Sequence, residues 1–567
     1  MAPRDSATER RLCAALGISP VLAGVLAARG VLEEDAARSF LHPSLDDTHD
    51  PHLLPAAGEA TERLAAALKD DEPILVHGDY DADGLTAAAL LLRLLRRLGG
   101  NVRCHIPSRL TDGFGLRPET VRQAAADGIG VVLTADCGSS DSEALAQARE
   151  LGLDVIVTDH HEPGDDDDPA GALIVNPRLP ESAYPNRQLS GVGVAFKLGE
   201  ALVDRLRMPV DSYRRAYVDL ACVGTIADVC PLVGENRALV KAGLTALPDT
   251  HKLGLRALMD ACQMGKSASA RSVAFRLGPR LNAAGRLGDA GEALELLVTS
   301  DAQAARRIAR RLERLNRERQ ELQARIFREA RQRVQEEVDV ERERVIVLAA
   351  PDWHVGVIGI VASKLVDAFG RPTVLLTKTP RGYQGSARSV PGFHIAGALE
   401  GCGMHLTRSG GHAGAAGLLT EEGQIAGLRA RLNEIAEAEL TPETLHPRLS
   451  VDREVRPEEL TPELVGELEL MAPFGEGNRE PVLCARGLDL IDSRVVGSDD
   501  QHLKLRLAAD GRVLPAIGFG MGDLAEGVEA AGVVDACFYP ALDSFAGECS
   551  LELRLHDIRP AQAARDR

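Results

Sequence analysis

Aromatic residues are scarce in this chain: Phe, Trp and Tyr together make up 3% of 567 residues, with a single Trp. Any binding that relies on ring stacking, such as that of nucleic-acid bases, could rest on only a few rings, with Tyr80, Phe114 and Phe519 as candidates. No apolar run approaches the roughly 20 residues that span a bilayer, and the N-terminus carries no signal-like apolar stretch. Both absences point to a cytoplasmic protein. The ten cysteines include no C-x-x-C pair, which fits buried, reduced thiols better than a zinc cage or a disulfide framework. Cys137 beside Asp136 is read the same way. Positive charge is also short. A net charge of −19 argues against non-specific coating of nucleic acid, which depends on Lys and Arg neutralising phosphates, but is compatible with a local basic channel.

A chain of this length needs several cores, about three or four at the usual domain size. Residues 1–60 read as short helices followed by a Pro- and Asp-rich stretch, expected to form a helical cap on the next domain. Over 61–298, apolar strands expected at 74–77, 102–106, 131–135, 155–158 and 173–175 alternate with helical segments such as 86–98, the pattern of βαβ units and a mainly parallel sheet. The acidic run 165–168 reads as a solvated loop. Residues 299–340 form one long charged helix, with Ser300 and Asp301 at its N-cap and no glycine or proline inside it. Its apolar positions, Ile308, Leu312, Leu315, Leu322 and Ile326, are too sparse for a dimer seam, so it is expected to span between domains. A second, smaller α/β pattern occupies 341–440. The short alternating runs of 441–567, such as 503–507 and 551–555, suggest a small β-barrel.

The most informative segment is 76–84, Val-His-Gly-Asp-Tyr-Asp-Ala-Asp-Gly, which follows an apolar strand and places His77, Asp81 and Asp83 as H-x3-D-x-D in a tight loop. Two further strands end in acids or imidazoles, one in Asp136 and one in Asp159-His160-His161. A parallel α/β sheet gathers such residues at the carboxyl ends of its strands, so they can converge on one crevice. A single His or Asp at a strand end is usually a packing or turn residue; three neighbouring strands ending this way is not expected on that basis. Oxygen and nitrogen donors of this kind suit a two-metal phosphodiesterase, with Asp136 as the bridging carboxylate, and favour Mn²⁺ or Mg²⁺ over structural zinc.

These residues make the chain resemble the DHH phosphoesterase superfamily, named for the triplet present as Asp159-His160-His161, and within it the bacterial single-strand-specific 5′→3′ exonucleases. The resemblance covers nearly the whole chain through DYDADG, TDHHEP, HIPSRLTDGFGL from His105, LSGVGVAFKL from Leu189, DLACVGTIADVCPL from Asp219, GPRLNAAGRLGDA from Gly278, WHVGVIGIVASKL from Trp353 and APFGEGN from Ala472. It implies a parallel-sheet DHH domain joined by the long helix to a smaller α/β DHHA1 domain, with a C-terminal OB-fold barrel.

It also implies site residues. His77, Asp81 and Asp136 would hold one metal; Asp83, Asp136, His160 and a further aspartate, Asp228 in preference to Asp219, would hold the other. His161 would contact the scissile phosphate or protonate the leaving oxygen, with Asp159 orienting an imidazole. Arg388, Gly411 and His412 match the DHHA1 motifs and are expected to contact phosphate, as are Arg109 and Arg280 at a terminal phosphate. The implied activity is hydrolysis of single-stranded DNA from its 5′ end to 5′-mononucleotides, in DNA repair and recombination. Single-strand-binding protein and a recombination or repair helicase are the implied protein partners.

Overall fold

Five short Val-, Ile- and Leu-rich runs pair as one wholly parallel sheet in the order β2-β1-β3-β4-β5: β1 Ile74–Gly78, β2 Val102–His105, β3 Val131–Ala135, β4 Asp154–Thr158 and β5 Leu173–Val175. The central strands β1 and β3 are buried at every position, because helices cover both faces of such a sheet. On one side lie the helices Ala82–Arg97, Gly191–Arg205 and Val210–Ala227; on the other, Pro118–Ala126 and Ser142–Glu150. Strand order reverses between β1 and β3, and the loops that leave their carboxyl ends flank the crevice this creates. The acids of 79–83 and Asp136 occupy those two loops. This computed structural model describes residues 5–561, apart from 110–112, 165–170, 266, 442–444, 446–447, 498–499 and 544–549. The acidic run 165–168 thus lies outside the described residues.

The long helix Ala302–Glu337 starts at the Asp301 N-cap, whose carboxylate accepts from the Gln303 N–H. Its first half buries Ala305, Ile308, Ala309 and Leu312 in the core of the first sheet. Its second half buries Ile326, Ala330 and Val334 against Ile346, Leu348, Val357 and Val361 of the next unit. One helix therefore belongs to two cores, which explains a hydrophobic face too thin for a coiled-coil seam. The second unit is a mixed five-stranded sheet in the order β6-β7-β8-β10-β9, from β6 Ile346–Ala350, β7 Thr373–Thr379, β8 Gly382–Arg388, β9 Arg408–Gly411 and β10 Ala415–Thr420.

The C-terminal unit comprises β11 Arg453–Glu454, β12 Leu483–Val496, β13 His502–Ala509, β14 Arg512–Gly518, β15 Val533–Asp543 and β16 Ser550–Pro560. β12 pairs with both β13 and β15, so β12-β13-β14-β16-β15 closes on itself as a five-stranded OB-like barrel.

The N-terminal helices depart from the expected cap on the following domain. Leu12, Val21, Leu22, Val25 and Leu26 share the barrel's core with Leu460, Leu464 and Met471. Arg29 pairs with Asp452 at 3.1 Å, and Arg453 with Glu9 at 2.7 Å. The turns Leu45–Asp47 and Pro51–Leu53 lie against the first domain, as does Phe40, whose carbonyl accepts from Arg237 at 2.8 Å. Among the described residues no helix is long and apolar enough to cross a membrane.

Candidate metal centre and substrate cleft

Asp81 is the N-cap of the helix Ala82–Arg97: its carboxylate accepts from the backbone N–H groups of Asp83 and Gly84 at 2.9 and 3.1 Å. Asp83, the second residue of that helix, is buried and accepts from the N–H groups of Gly191 and Val192 at 2.7 and 2.9 Å. Those donors are the first residues of the helix Gly191–Arg205, whose N-terminal dipole favours a carboxylate there. Asp136 leaves β3 with φ +68, a conformation that costs a non-glycine residue about 1–3 kcal/mol and clusters at functional sites. Two glycines make the crowding possible. A Cβ on Gly191 would collide with the Asp136 carboxylate, and one on Gly224 with Thr86 and Asp83.

His160 stands among these acids. Its Nε2 lies 3.2 Å from Asp136, 3.6 Å from Asp228 and 4.0 Å from Asp83. Donor atoms of Asp79, Asp81 and Asp136 form a second group within 4.8 Å of one another. Burial pushes the Asp79, Asp83 and Asp136 carboxyls well above the ordinary range, and neighbouring carboxylates push them further. Burial and Asp81 raise Asp228 to about 6. Burial and the charge of His161 lower His160 to about 3. The Cys230 thiol, raised by burial, bonds Asp228 at 3.0 Å as a neutral donor.

His161 sits at the rim, its ring edge-on to Phe114 at 5.4 Å between centroids. Burial would lower its pKa, but the bond from its Nδ1 to Asp159, 2.7 Å long, raises it to about 9. Asp159 is fully enclosed, and burial would raise it. The His161 bond and the N–H groups of Ser139, His160 and His161 outweigh that and hold it below the usual carboxylate range.

Asp79 Oδ1, Asp136 Oδ1 and both ring nitrogens of His160 are buried without a hydrogen-bond partner. Each such group costs about 1–3 kcal/mol. A set of mutually repelling, unsatisfied oxygens around an imidazole is the donor set that divalent cations reward, so the residues present fit the expected pair of hard metal ions.

Three expectations need correction. His77 is buried but its ring is engaged elsewhere: Nδ1 meets His105 Nδ1, its register partner on β2, at 3.1 Å, and Nε2 faces the Gly115 carbonyl at 3.3 Å. Asp79 takes the place in the cluster expected of it, and the i, i+2, i+4 acids of DYDADG were the signal for that. Arg280 is tied to Glu313 at 2.8 Å and to the Arg276 carbonyl, fastening the helix Gly278–Leu287 to the long helix rather than facing substrate. The exposed His412 does not line the adjoining cleft, although Gly411 does. Asp228 joins the cluster, whereas Asp219 is consumed by Lys252 at 2.7 Å and Thr250 at 2.6 Å.

That cleft, about 1010 Å³, lies between the first and second α/β units and is lined by Tyr80, Arg109, Phe114, Arg117, Arg381, Arg388 and Arg408. The Arg109 guanidinium lies over the Tyr80 ring, 5.3 Å from its centroid. Burial and the like charge of Arg109 lower the pKa of Arg388, and burial chiefly brings Arg286 beside them to about 10. A pocket that concentrates guanidiniums in an acidic protein is built for an anion.

Three family models match the chain: the DHH family, N-terminal domain, over residues 73–225, the DHHA1 domain over 342–438 and the RecJ OB domain over 451–557. These set the class as a DHH domain carried with DHHA1 and OB domains. The single-stranded-DNA-specific exonuclease RecJ of Bacillus subtilis is 38% identical over 92% of this chain and 66% of its own length. That of Escherichia coli is 33% identical over 96% of both. The crystal structure of RecJ in complex with Mn²⁺ from Thermus thermophilus superposes with a TM-score of 0.86 at 35% identity, over 99% of this chain and 79% of that one. The chain belongs to the RecJ family. It spans about two thirds of the Bacillus relative's length.

Proposed function

We propose that this protein is a metal-dependent exonuclease that degrades single-stranded DNA from its 5′ end, releasing 5′-mononucleotides in DNA repair and recombination in the cytoplasm. The observation that carries the reading is the buried acid–imidazole cluster opening onto an arginine-lined cleft. Asp79, Asp81 and Asp136 would hold one divalent cation, and Asp83, Asp136, His160 and Asp228 the other, as Mn²⁺ or Mg²⁺. When bound, such a pair supplies positive charge that polarises the phosphate and lowers the pKa of nearby water.

The chain's own residues supply the rest. Asp136, shared by both groups, fixes their spacing through its left-handed backbone. His161, held protonated by Asp159, points a cation at the rim, where it can bind the scissile phosphate and give a proton to the leaving oxygen. Asp159 is a positioning residue acting through that ring. Arg109 and Arg388 take the terminal phosphate, and Tyr80 and Phe114 offer the ring surfaces beside it. The barrel gives the remaining strand a surface, with Phe519 exposed against His502 at 5.3 Å between ring centroids. Partnership with single-strand-binding protein and a repair helicase belongs to the same reading and is supported by family membership.

The same metal cluster would also serve a phosphodiesterase confined to very short oligonucleotides, which needs no barrel. Digestion of long single strands beside dinucleotides separates the two. Processive loss of a long strand is the expected result, and cleavage of dinucleotides alone would overturn the reading.

A further inference from the structure

The barrel's closure seam carries a pair of thiols that the nuclease reading does not use. β12 and β15 run antiparallel with Leu483 opposite Phe538, Cys484 opposite Cys537 and Ala485 opposite Ala536. Leu483, Ala485, Ala536 and Phe538 are packed in the barrel core. Alternation along a strand therefore turns Cys484 and Cys537 to the same outer face, side by side. Directly opposed residues of antiparallel strands have Cα atoms about 4.5 or 5.5 Å apart, and both spacings fall within the roughly 4.4–6.8 Å that a disulfide spans. Cys484 is covered, with 6% exposure, and Cys537 is partly exposed.

We propose that Cys484 and Cys537 form a redox-sensitive pair that a hydroperoxide converts to a disulfide across the β12–β15 seam, locking the barrel closed. Cys537, the accessible partner, attacks the peroxide: an S–O bond forms, the O–O bond breaks, and the departing hydroxide or alkoxide takes up the Cys537 thiol proton as water or alcohol, giving a sulfenic acid. The Cys484 sulfur then attacks the Cys537 sulfur. The S–S bond forms, the S–O bond breaks, and the departing hydroxide takes the Cys484 proton as water. Two thiols lose two electrons and two protons in all, and the peroxide is reduced. The greater exposure of Cys537 assigns attack to it and resolution to the covered Cys484.

The test uses the full chain, with hydrogen peroxide as the probe, thiol blocking and non-reducing peptide mapping. The expected product links the peptides bearing Cys484 and Cys537 with the loss of two hydrogens, and is reversed by dithiothreitol. Backbone amide exchange along β12 and β15 should slow by roughly tenfold or more. Cys484→Ser should leave a sulfenic acid at Cys537 that dimedone traps. Recovery of both thiols as separate alkylated or overoxidised residues in the unaltered protein would overturn the pairing, and a linked product with unchanged exchange would overturn the lock.

Discussion

The Asp159 carboxylate accepts a 2.7 Å hydrogen bond from the His161 ring while three backbone N–H groups hold that carboxylate in place. A ring so fixed holds its proton, whereas His160, the preceding residue, is kept neutral by burial and by His161. On the proposed reading, adjacent histidines are thereby separated into a ligand and a proton donor.

Replacing His161 by alanine should lower turnover by about 10²- to 10⁴-fold while leaving Mn²⁺ binding, followed by calorimetry, close to that of the unaltered protein. Asp159→Asn should move the alkaline limb of the activity profile to lower pH, because the ring loses the charge that raises it. An unmoved limb would reduce Asp159 to a packing role.

Gly191 tests the crowding around the bridge. Its Cβ position overlaps the Asp136 carboxylate, so Gly191→Ala must displace either the helix start or the acid. A misplacement on the order of 1 Å can cost about 100-fold in rate. Circular dichroism should show the fold retained and a nuclease assay should show that loss; a fully active variant would mean Asp136 tolerates movement.

The raised carboxylates make a stability prediction with a definite sign. Asp228, raised to about 6, and Asp83 and Asp136, both raised well above the ordinary carboxylate range, bind protons more tightly folded than unfolded. The unfolded state then holds fewer protons, so metal-free stability falls as pH rises from the ordinary carboxylate range near 4 through 6 and above. Added Mn²⁺ should reverse this at neutral pH, by about 2.7 kcal/mol at one hundred times its dissociation constant. Thermal melts with and without chelator at pH 5 and pH 7.5 give the comparison. Equal melting temperatures in the two chelated samples would contradict the carboxylate cluster.

The arginine cleft predicts binding that weakens with salt. Affinity for a single-stranded oligonucleotide should fall linearly in log–log form with salt concentration, and Arg388→Ala should reduce the slope by about 1. Arg280→Ala should leave the slope unchanged and lower stability, since that side chain is bound to Glu313.

How far the sequence discloses this arrangement depends on the range of the contacts. The strands β1, β3 and β4 are plain in the sequence because each is a short apolar run ending in acids or imidazoles, and the long helix because it lacks glycine and proline. Asp228 was distinguishable from Asp219 only as a preference. What separates them in space is Lys252, which sits 33 positions from Asp219 and neutralises it. His77 was misleading because its burial on β1 looks the same in sequence whether the ring meets a metal or meets His105 on the neighbouring strand. The docking of the first helices on the barrel, through pairs such as Arg29 and Asp452, 423 positions apart, leaves no local pattern to read.

The central claim is tested most directly by incubating the protein and Mn²⁺ with single strands labelled at the 5′ or the 3′ end, beside a blunt duplex. The account predicts immediate release of the 5′ label as a mononucleotide, progressive shortening of the 3′-labelled strand, and an intact duplex. Early release of the 3′ label, or equal digestion of the duplex, would contradict it.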